Sequence, residues 1–196
     1  MAGKVHLTFD DGPDPVWTVA VLDALDRSGA RATFFPITSR VEHYPALIEL
    51  IRARGHEVGL HCHRHVRHST LTRQQIERDT DTALEILAAL GVHPTRWRLP
   101  WGVSTPASAA VARDRGLALL GWTADSEDWR GHSAATMLAR IRPDLRAGAV
   151  VLAHDGLGPG ALRASCAATV ELVEPLVDCA RSAGLHCAPP AEAVVV

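Results

Sequence analysis

The chain has 196 residues, enough to bury the core of one domain of ordinary size, and we predict a single domain over residues 1–196. Its formal net charge is -2, Lys4 is its only lysine, and no apolar run approaches the ~20 residues of a membrane span, so neither nucleic acid nor a membrane is an expected partner. Because Met1 leads into the first predicted strand without a charged and apolar leader, we expect a cytoplasmic protein, or an exported one only if a leader has been removed.

Apolar runs of strand length alternate along the chain with segments that carry apolar residues at helical spacing. We predict strands over residues 5–9, 32–37, 57–61, 97–99, 117–122, 149–153 and 186–188, and helices over residues 16–27, 44–54, 72–90, 106–115, 134–141 and 163–182. Strands that alternate with helices indicate parallel pairing. About seven such units favour an α/β barrel, closed or nearly closed, although the pattern also permits a doubly wound open sheet.

The first predicted strand runs directly into two carboxylates, Asp10 and Asp11, which a Gly12-Pro13 turn follows. Two adjacent anions repel each other, and burial adds a desolvation cost that a bound cation would relieve. A solvated turn is the simpler interpretation of this segment taken alone. The rest of the chain favours a metal site.

A histidine-rich segment follows the third predicted strand. His61 and His65 stand four residues apart, a spacing that places both rings on one side of a helical turn, as in paired metal ligands. His63 and His68 compete with this assignment, since His61 and His63 would share a face if the strand continued. Cys62 is a weaker candidate, and the four cysteines of the chain show no C-x-x-C spacing typical of zinc ribbons. Two imidazoles and one aspartate would leave positions open for water, as in catalytic metal sites.

Candidate reactive residues follow five predicted strands in chain order. They are Asp10 and Asp11, His61 and His65, Arg98 and Trp101, residues 125–129, and His154 with Asp155. The carboxyl ends of the strands in a parallel barrel share one face, and that face carries the site. We therefore expect these side chains to meet in one place.

Five segments of the chain together resemble a known family. They are residues 8–13 (TFDDGP), 55–65 (GHEVGLHCHRH), 98–102 (RLPWG), 125–129 (DSEDW) and 151–155 (VLAHD). In this order they resemble the motifs of the polysaccharide deacetylases with the NodB homology domain, family 4 of the carbohydrate esterases. The chain departs from the usual pattern at Leu60, Cys62 and Leu99, where Asn, Ser or Thr, and Pro are common. The first two changes alter the surroundings of the metal.

The resemblance implies a distorted (β/α) barrel, here of about seven parallel strands, and a role for each motif residue. A divalent metal, zinc before cobalt or nickel, would bind Asp11, His61 and His65. Asp10 would be the general base and His154 the general acid. The supporting catalytic residues would be Asp128, which holds His154, Arg98, which steadies the catalytic aspartate, and Trp101, whose backbone N–H completes an oxyanion hole. The substrate-binding residues would be Pro100, Trp129 and Leu152, although ordinary core positions are an equal alternative for Trp129 and Leu152.

The resemblance also implies hydrolysis of the acetamide of an N-acetylated amino sugar, with release of acetate. Alternatives are an amidohydrolase that cleaves a non-sugar carbon–nitrogen bond, such as a cyclic amide, and a catalytically inactive carbohydrate-binding relative. Because helices occupy most of the sequence between strands, little remains for long subsite loops. We therefore predict that the substrate is a short oligosaccharide or a small molecule, such as a related small N-acetylated compound, rather than an insoluble polymer. The sequence makes no prediction of the oligomeric state.

Overall fold

The computed structural model describes residues 3–189, so the predicted domain range 1–196 extends beyond the described residues at both ends. Strands and helices alternate over these residues. The strands are β1 (Gly3–Asp10), β2 (Ala32–Phe35), β3 (Glu57–Val58), β4 (Arg96–Trp97), β5 (Ala118–Leu119), β6 (Ala124–Asp125), β7 (Val150–His154) and β8 (Leu185–Cys187). The helices are α1 (Trp17–Ser28), α2 (Thr38–Val41), α3 (Pro45–Ala53), α4 (Arg73–Ala89), α5 (Pro106–Asp114), α6 (Ala134–Ile141) and α7 (Ala167–Ser182). In this range no helix combines the length and apolar character needed to span a membrane.

All the strand ladders are parallel. The main sheet has the order β3-β2-β1-β7-β6, with β8 beside the start of β1, and β4 pairs with β5 separately. A bridge between Leu60 and Trp97 connects the chain after β3 to β4, so the two sheets continue into each other. No ladder joins β5 to β6 within residues 3–189. The predicted α/β architecture is confirmed, as an incompletely closed barrel.

Strand β1 separates an apolar face from a polar one. Val5, Leu7 and Phe9 belong to the main hydrophobic core, together with apolar side chains of helices α1, α3, α4 and α7. The alternate residues include Thr8 and Asp10, which are also buried but are both contacted by the guanidinium of Arg98. The period of two along a strand thus places the core on one face and a buried polar column on the other.

The ladder between β1 and β7 fixes the relative positions of Asp10 and His154, two of the predicted reactive residues. Its register pairs Phe9 with Ala153 and Asp10 with His154. Since paired strands lie about 4.8 Å apart, Asp10 and His154 are held side by side at the carboxyl ends of adjacent strands.

The structure contains one strand that the sequence did not predict. The predicted strand 117–122 is β5, which is shorter, and a separate strand β6 follows it. The intervening carbonyl groups of Leu120 and Gly121 accept hydrogen bonds from the Arg98 side chain. Because these carbonyls bind the Arg98 side chain, the chain leaves the ladder between β4 and β5 and then joins β7 as strand β6.

The last long helix begins later than predicted. The sequence predicts a helix over residues 163–182, whereas α7 starts at Ala167. Arg163 lies before the helix, with its guanidinium against Asp128 and the backbone carbonyl of His154. The contacts with these two residues hold the segment before α7 near the carboxyl end of β7.

Candidate active site

The reactive residues line a cavity of about 410 Å³ at the carboxyl ends of the strands. Of the predicted site residues, those that line it are Asp10, Asp11, His61, His65, Trp101, Trp129, Leu152 and His154. Arg98 and Asp128 lie behind them, because both are buried and contact lining residues. Pro100 is buried at the start of the 3₁₀ turn Pro100–Gly102 and is not among the lining residues.

Three side chains on one side of the cavity form a cluster suited to a metal ion. The Nε2 atoms of His61 and His65 each lie 3.4 Å from Oδ1 of Asp11, and one ligand atom from each residue lies within 4.8 Å of the others. Oδ1 of Asp11 is buried and has no hydrogen-bond partner. A buried carboxylate oxygen without a donor is costly, and a cation between these residues would satisfy it. The donor set of two imidazoles and one carboxylate therefore fits a divalent metal such as zinc.

Asp11 occupies an unusual backbone conformation. Its φ angle is +73°, in the left-handed region that residues other than glycine rarely adopt. The turn that follows is fixed by Asp155, whose carboxylate accepts hydrogen bonds from the backbone N–H of Gly12 at 3.2 Å and from the hydroxyl of Thr18 at 2.5 Å. Buried Asp155 thus anchors the turn that directs Asp11 away from the β1 ladder.

The two histidines are oriented by different groups. Nδ1 of His61 lies 2.6 Å from the backbone carbonyl of Arg98, so this nitrogen carries the proton and Nε2 is left to face Asp11. His65 is reached through a bend rather than the helical turn considered from the sequence. The carboxylate of Asp79 accepts hydrogen bonds from the backbone N–H groups of His63 and Arg64, at 2.9 and 2.8 Å, and so fixes this bend.

The competing candidates lie outside the metal cluster. Nδ1 of His63 lies 3.2 Å from the hydroxyl of Thr38, and the ring of His68 packs against Trp97. Cys62 is buried, and burial raises the pKa of its thiol well above the usual value, which does not favour a thiolate ligand. Within residues 3–189, only Asp11, His61 and His65 form a group of this kind.

The protonation states of Asp11 and His65 suit metal binding, whereas for His61 burial lowers the pKa but the nearby Asp11 and Asp10 carboxylates outweigh burial and raise it. Burial raises the pKa of Asp11, but the close contact with His61 and the charges of the neighbouring histidines lower it more, and the net pKa is well below the usual range. Burial, together with the charge of His61, lowers the pKa of His65 to about 4. A carboxylate and a neutral imidazole are the forms that ligate a metal.

Asp10 lies beside this cluster and is held by Arg98. The guanidinium Nη1 of Arg98 lies 3.1 Å from Oδ1 of Asp10, and both side chains are at most 5% exposed. Arg98 also donates to Thr8 and to the carbonyls of Leu120 and Gly121. Its orientation is therefore over-determined, and the position of the Asp10 carboxylate is fixed with it.

Partly exposed His154 and buried Asp128 form a pair at the carboxyl end of β7. Nδ1 of His154 lies 2.7 Å from Oδ1 of Asp128, whose Oδ2 accepts a hydrogen bond from the backbone N–H of His154 at 2.9 Å. Burial lowers the pKa of His154, but the Asp128 carboxylate outweighs this effect and raises the pKa to about 9. The pKa of Asp128 falls to about 2, because His154 and Arg163 outweigh the effect of burial. Near neutral pH the pair is an imidazolium and a carboxylate.

The remaining wall is largely aromatic and apolar. Trp101 packs edge to face on His65, with ring centroids 4.1 Å apart, and the guanidinium of Arg67 covers its ring at 4.6 Å. Trp129 is stacked in the same way by Arg130, and Leu152 is buried at the cavity surface. Trp129 and Leu152 thus border the cavity instead of lying wholly in the core.

Several residues at the site carried no recognisable signal in the sequence. Arg163 lines the cavity and ion-pairs with Asp128 at 2.9 Å, but a lone arginine at the start of a predicted helix resembles any solvated one. The other unpredicted residues that line the cavity include Arg67, Trp122 and the glycines of residues 156–160, whereas Asp125, which also lines it, belongs to the predicted segment 125–129. A run of three glycines in five residues after a motif is a signal that could have indicated a close-packed loop at the site.

Comparisons with known proteins agree with this geometry. Residues 2–120 match the family model described as polysaccharide deacetylase. The chain is 36% identical over 168 residues to a chitooligosaccharide deacetylase from Bradyrhizobium sp. (strain ANU 289), with 85% of this chain and 77% of the relative covered. It is 32% identical over 154 residues to a peptidoglycan-N-acetylglucosamine deacetylase from Bacillus cereus, with 78% and 72% covered.

A solved structure shares the fold over nearly the whole chain. The family 4 carbohydrate esterase from Streptomyces lividans, in complex with acetate, superimposes with a TM-score of 0.86 at 27% identity, covering 94% of this chain and 91% of that one. The chain therefore belongs to the polysaccharide deacetylase family, as its motifs indicated. It is accordingly a deacetylase, a hydrolase of amide carbon–nitrogen bonds.

Proposed function

We propose that this protein is a metal-dependent N-deacetylase that releases acetate from an N-acetylated amino sugar. The observation that carries the proposal is the pairing of Asp10 with His154 on adjacent strands, beside the cluster of Asp11, His61 and His65. A carboxylate and an imidazolium are thereby held side by side at one cavity. An amide between them has a proton acceptor and a proton donor within one site.

Asp11, His61 and His65 would hold the metal. Two imidazoles and a carboxylate suit zinc, and cobalt or nickel would accept the same donors. When bound, such a cation lowers the pKa of water and polarises an amide carbonyl.

Asp10 is the proposed general base. Its carboxylate is adjacent to the metal ligand Asp11 in the chain but does not belong to the ligand cluster. The contact with Arg98 fixes its position, so it can take the proton of the attacking water without reorganising.

His154 is the proposed general acid. Nδ1 is engaged by Asp128, which leaves Nε2 as the nitrogen that can donate a proton to the departing amine. The raised pKa, about 9, keeps the ring protonated at neutral pH, as an acid requires. Asp128 then stabilises the imidazolium before transfer and fixes the ring orientation.

The cavity walls supply the other functions. The turn Pro100–Gly102 carries Trp101, whose ring packs on His65, and the backbone N–H of Trp101 would donate to the carbonyl oxygen as it gains charge. Trp129 and Leu152 would enclose the acetyl methyl group. For Pro100 we propose only an indirect role, since it starts the turn that carries Trp101.

The substrate is proposed to be a short N-acetylglucosamine oligomer. The relatives are named for chitooligosaccharide and for the N-acetylglucosamine of peptidoglycan, which share this sugar. A cavity of about 410 Å³ lies within the usual range of ~300–1,000 Å³ for small-molecule sites. We infer that it holds the acetylated unit and at most a short extension.

A screen for released acetate tests this proposal. The metal-free enzyme is supplied in turn with zinc, cobalt and nickel, and is offered N-acetylglucosamine, chitin oligomers, peptidoglycan fragments and small non-sugar amides. The Asp10→Asn variant is the control, and we expect it to bind the metal normally while losing turnover by about 10²–10⁴-fold. Metal-dependent acetate release from the sugars supports the proposal. Turnover of the non-sugar amides alone, or full activity without metal, would refute it.

A further inference from the structure

The backbone of Asp11 is held by an arginine. Arg40 lies on the short helix α2, and its Nη1 donates to the backbone carbonyl of Asp11 at 2.8 Å. Its Nη2 donates to the carbonyl of Leu157 at 2.7 Å. Arg40 therefore joins the backbone of the metal ligand to the segment that follows β7.

That segment, residues 156–160, is called the glycine loop here, and it packs directly on Asp11. A Cβ atom added at Gly158 would overlap Oδ2 of Asp11. A Cβ at Gly156 would lie 2.5 Å from the backbone oxygen of Asp11 and 2.7 Å from Nη1 of Arg40. Neither glycine has a positive φ angle, so space, and not backbone conformation, requires glycine at both positions.

The need for such a support follows from the state of Asp11 itself. Its φ angle of +73° lies in a region that is intrinsically unfavourable for a residue other than glycine, and its Oδ1 has no hydrogen-bond donor to orient it. With the backbone held by Arg40 and Oδ2 blocked by Gly158, the carboxylate keeps Oδ1 toward His61 and His65.

We propose that Arg40 and Gly158 are positioning residues that hold the Asp11 carboxylate in its metal-binding orientation. The inference rests on the proposed metal site. It adds that the ligand geometry depends on a contact between α2 and the loop after His154. The glycine loop, which follows the strand that carries the proposed acid, thus also supports the metal ligand.

Two variants test the two contacts. In Gly158→Ala the methyl group must displace the Asp11 carboxylate, and in Arg40→Gln a neutral, shorter side chain can no longer bridge both carbonyls. We expect each to weaken metal binding by about 10–100-fold, the range typical for residues that orient metal ligands. Arg52→Gln is the matched control, because exposed Arg52 also donates to a backbone carbonyl, that of Leu90 at 2.9 Å, far from the cavity.

Metal affinity is measured by calorimetric titration of the metal-free proteins with zinc, and ligand geometry by the visible spectrum of the cobalt forms. Circular dichroism of each metal-free variant checks that it folds. If Gly158→Ala does not fold, Arg40→Gln alone still tests the inference. Weaker zinc binding with an altered cobalt spectrum in a folded variant, against a normal Arg52→Gln, supports the inference. Wild-type affinity and an unchanged spectrum in folded Arg40→Gln would overturn it. A wild-type protein that binds no metal would instead refute the proposed function, and this inference with it.

Discussion

His61 and Arg98 are joined through a backbone carbonyl, since Nδ1 of His61 lies 2.6 Å from the oxygen of Arg98. The side chain of the same arginine reaches Asp10 at 3.1 Å. One residue therefore sets the tautomer of a proposed metal ligand with its main chain and the position of the proposed base with its side chain. The two functions can be separated by substitution, because only the second depends on the guanidinium.

We expect Arg98→Lys to lose stability and turnover but to keep the metal. A lysine ammonium cannot reach Thr8, Asp10 and the carbonyl of Gly121 at once, whereas the carbonyl that holds His61 remains. Leaving buried polar groups unpaired costs about 1–3 kcal/mol each. Urea unfolding should show a loss of this order, with zinc content near one per chain. Arg115→Lys, at a partly exposed pair with Asp81, should cost less than about 1 kcal/mol. Equal losses in the two variants would contradict the assignment.

The pH profile should respond to Asp128→Asn. The protonated form of His154 is the active one, so activity falls as the pH rises through its pKa of about 9. Removal of the Asp128 charge leaves burial as the dominant effect, and burial lowers the pKa of His154. We expect the basic limb of the kcat profile to move to lower pH by about one unit or more. An unmoved limb would show that another group titrates there.

The leaving group should determine how severely His154→Ala is impaired. An amine that is a poor leaving group needs a proton in the transition state, whereas an activated anilide or ester needs little help. We expect a loss of about 10²–10⁴-fold in kcat/KM on N-acetylglucosamine oligomers and a much smaller loss on activated acetyl compounds. Parallel kinetics on the two substrate classes measure the difference. Equal losses on both would argue against His154 as the acid.

Zinc should stabilise the folded protein through His65. A ligand at one hundred times its Kd adds about 2.7 kcal/mol to the free energy of unfolding. We expect His65→Ala to lose most of this gain, since it removes one of three donors. His63→Ala is the control two residues away, because its ring contacts Thr38 and lies outside the cluster. Thermal unfolding with and without zinc compares the variants. If His63→Ala loses the stabilisation by zinc, His63 would have to be assigned as a metal ligand.

Activity should stop rising early with oligomer length. A compact cavity gives sugars beyond the first or second unit no surface to contact, so they add no transition-state binding. We expect kcat/KM for acetate release to reach a plateau by the disaccharide. A steady rise from one to four or more N-acetylglucosamine units would instead favour a polymer substrate.

The sequence predicted what depends on local order along a strand. Asp10 ends β1 and Asp11 follows it, and the parallel α/β arrangement brings them to the same face as His61 and His154, which the structure shows lining one cavity. Such predictions work because strand ends and short motifs are properties of neighbouring residues.

Contacts between distant segments could not be predicted in this way. The bend that presents His65 is fixed by Asp79 from α4. Strand β5 ends just before Leu120 and Gly121, whose carbonyls accept hydrogen bonds from Arg98. Arg163 leaves its predicted helix because Asp128 binds it. Each of these outcomes depends on a partner far away in the chain, and no local pattern identifies that partner.

The register of β1 on β7 has a consequence for biosynthesis. Asp10 and His154 are partners across one ladder but are separated by most of the chain. A ribosome that has produced all three proposed metal ligands has therefore not yet produced the proton donor, and synthesis proceeds at only about 5–20 residues per second. For several seconds the nascent chain can carry the ligand residues while the neighbouring strand is still missing, so the hydrolytic site is completed only after β7 has been synthesised.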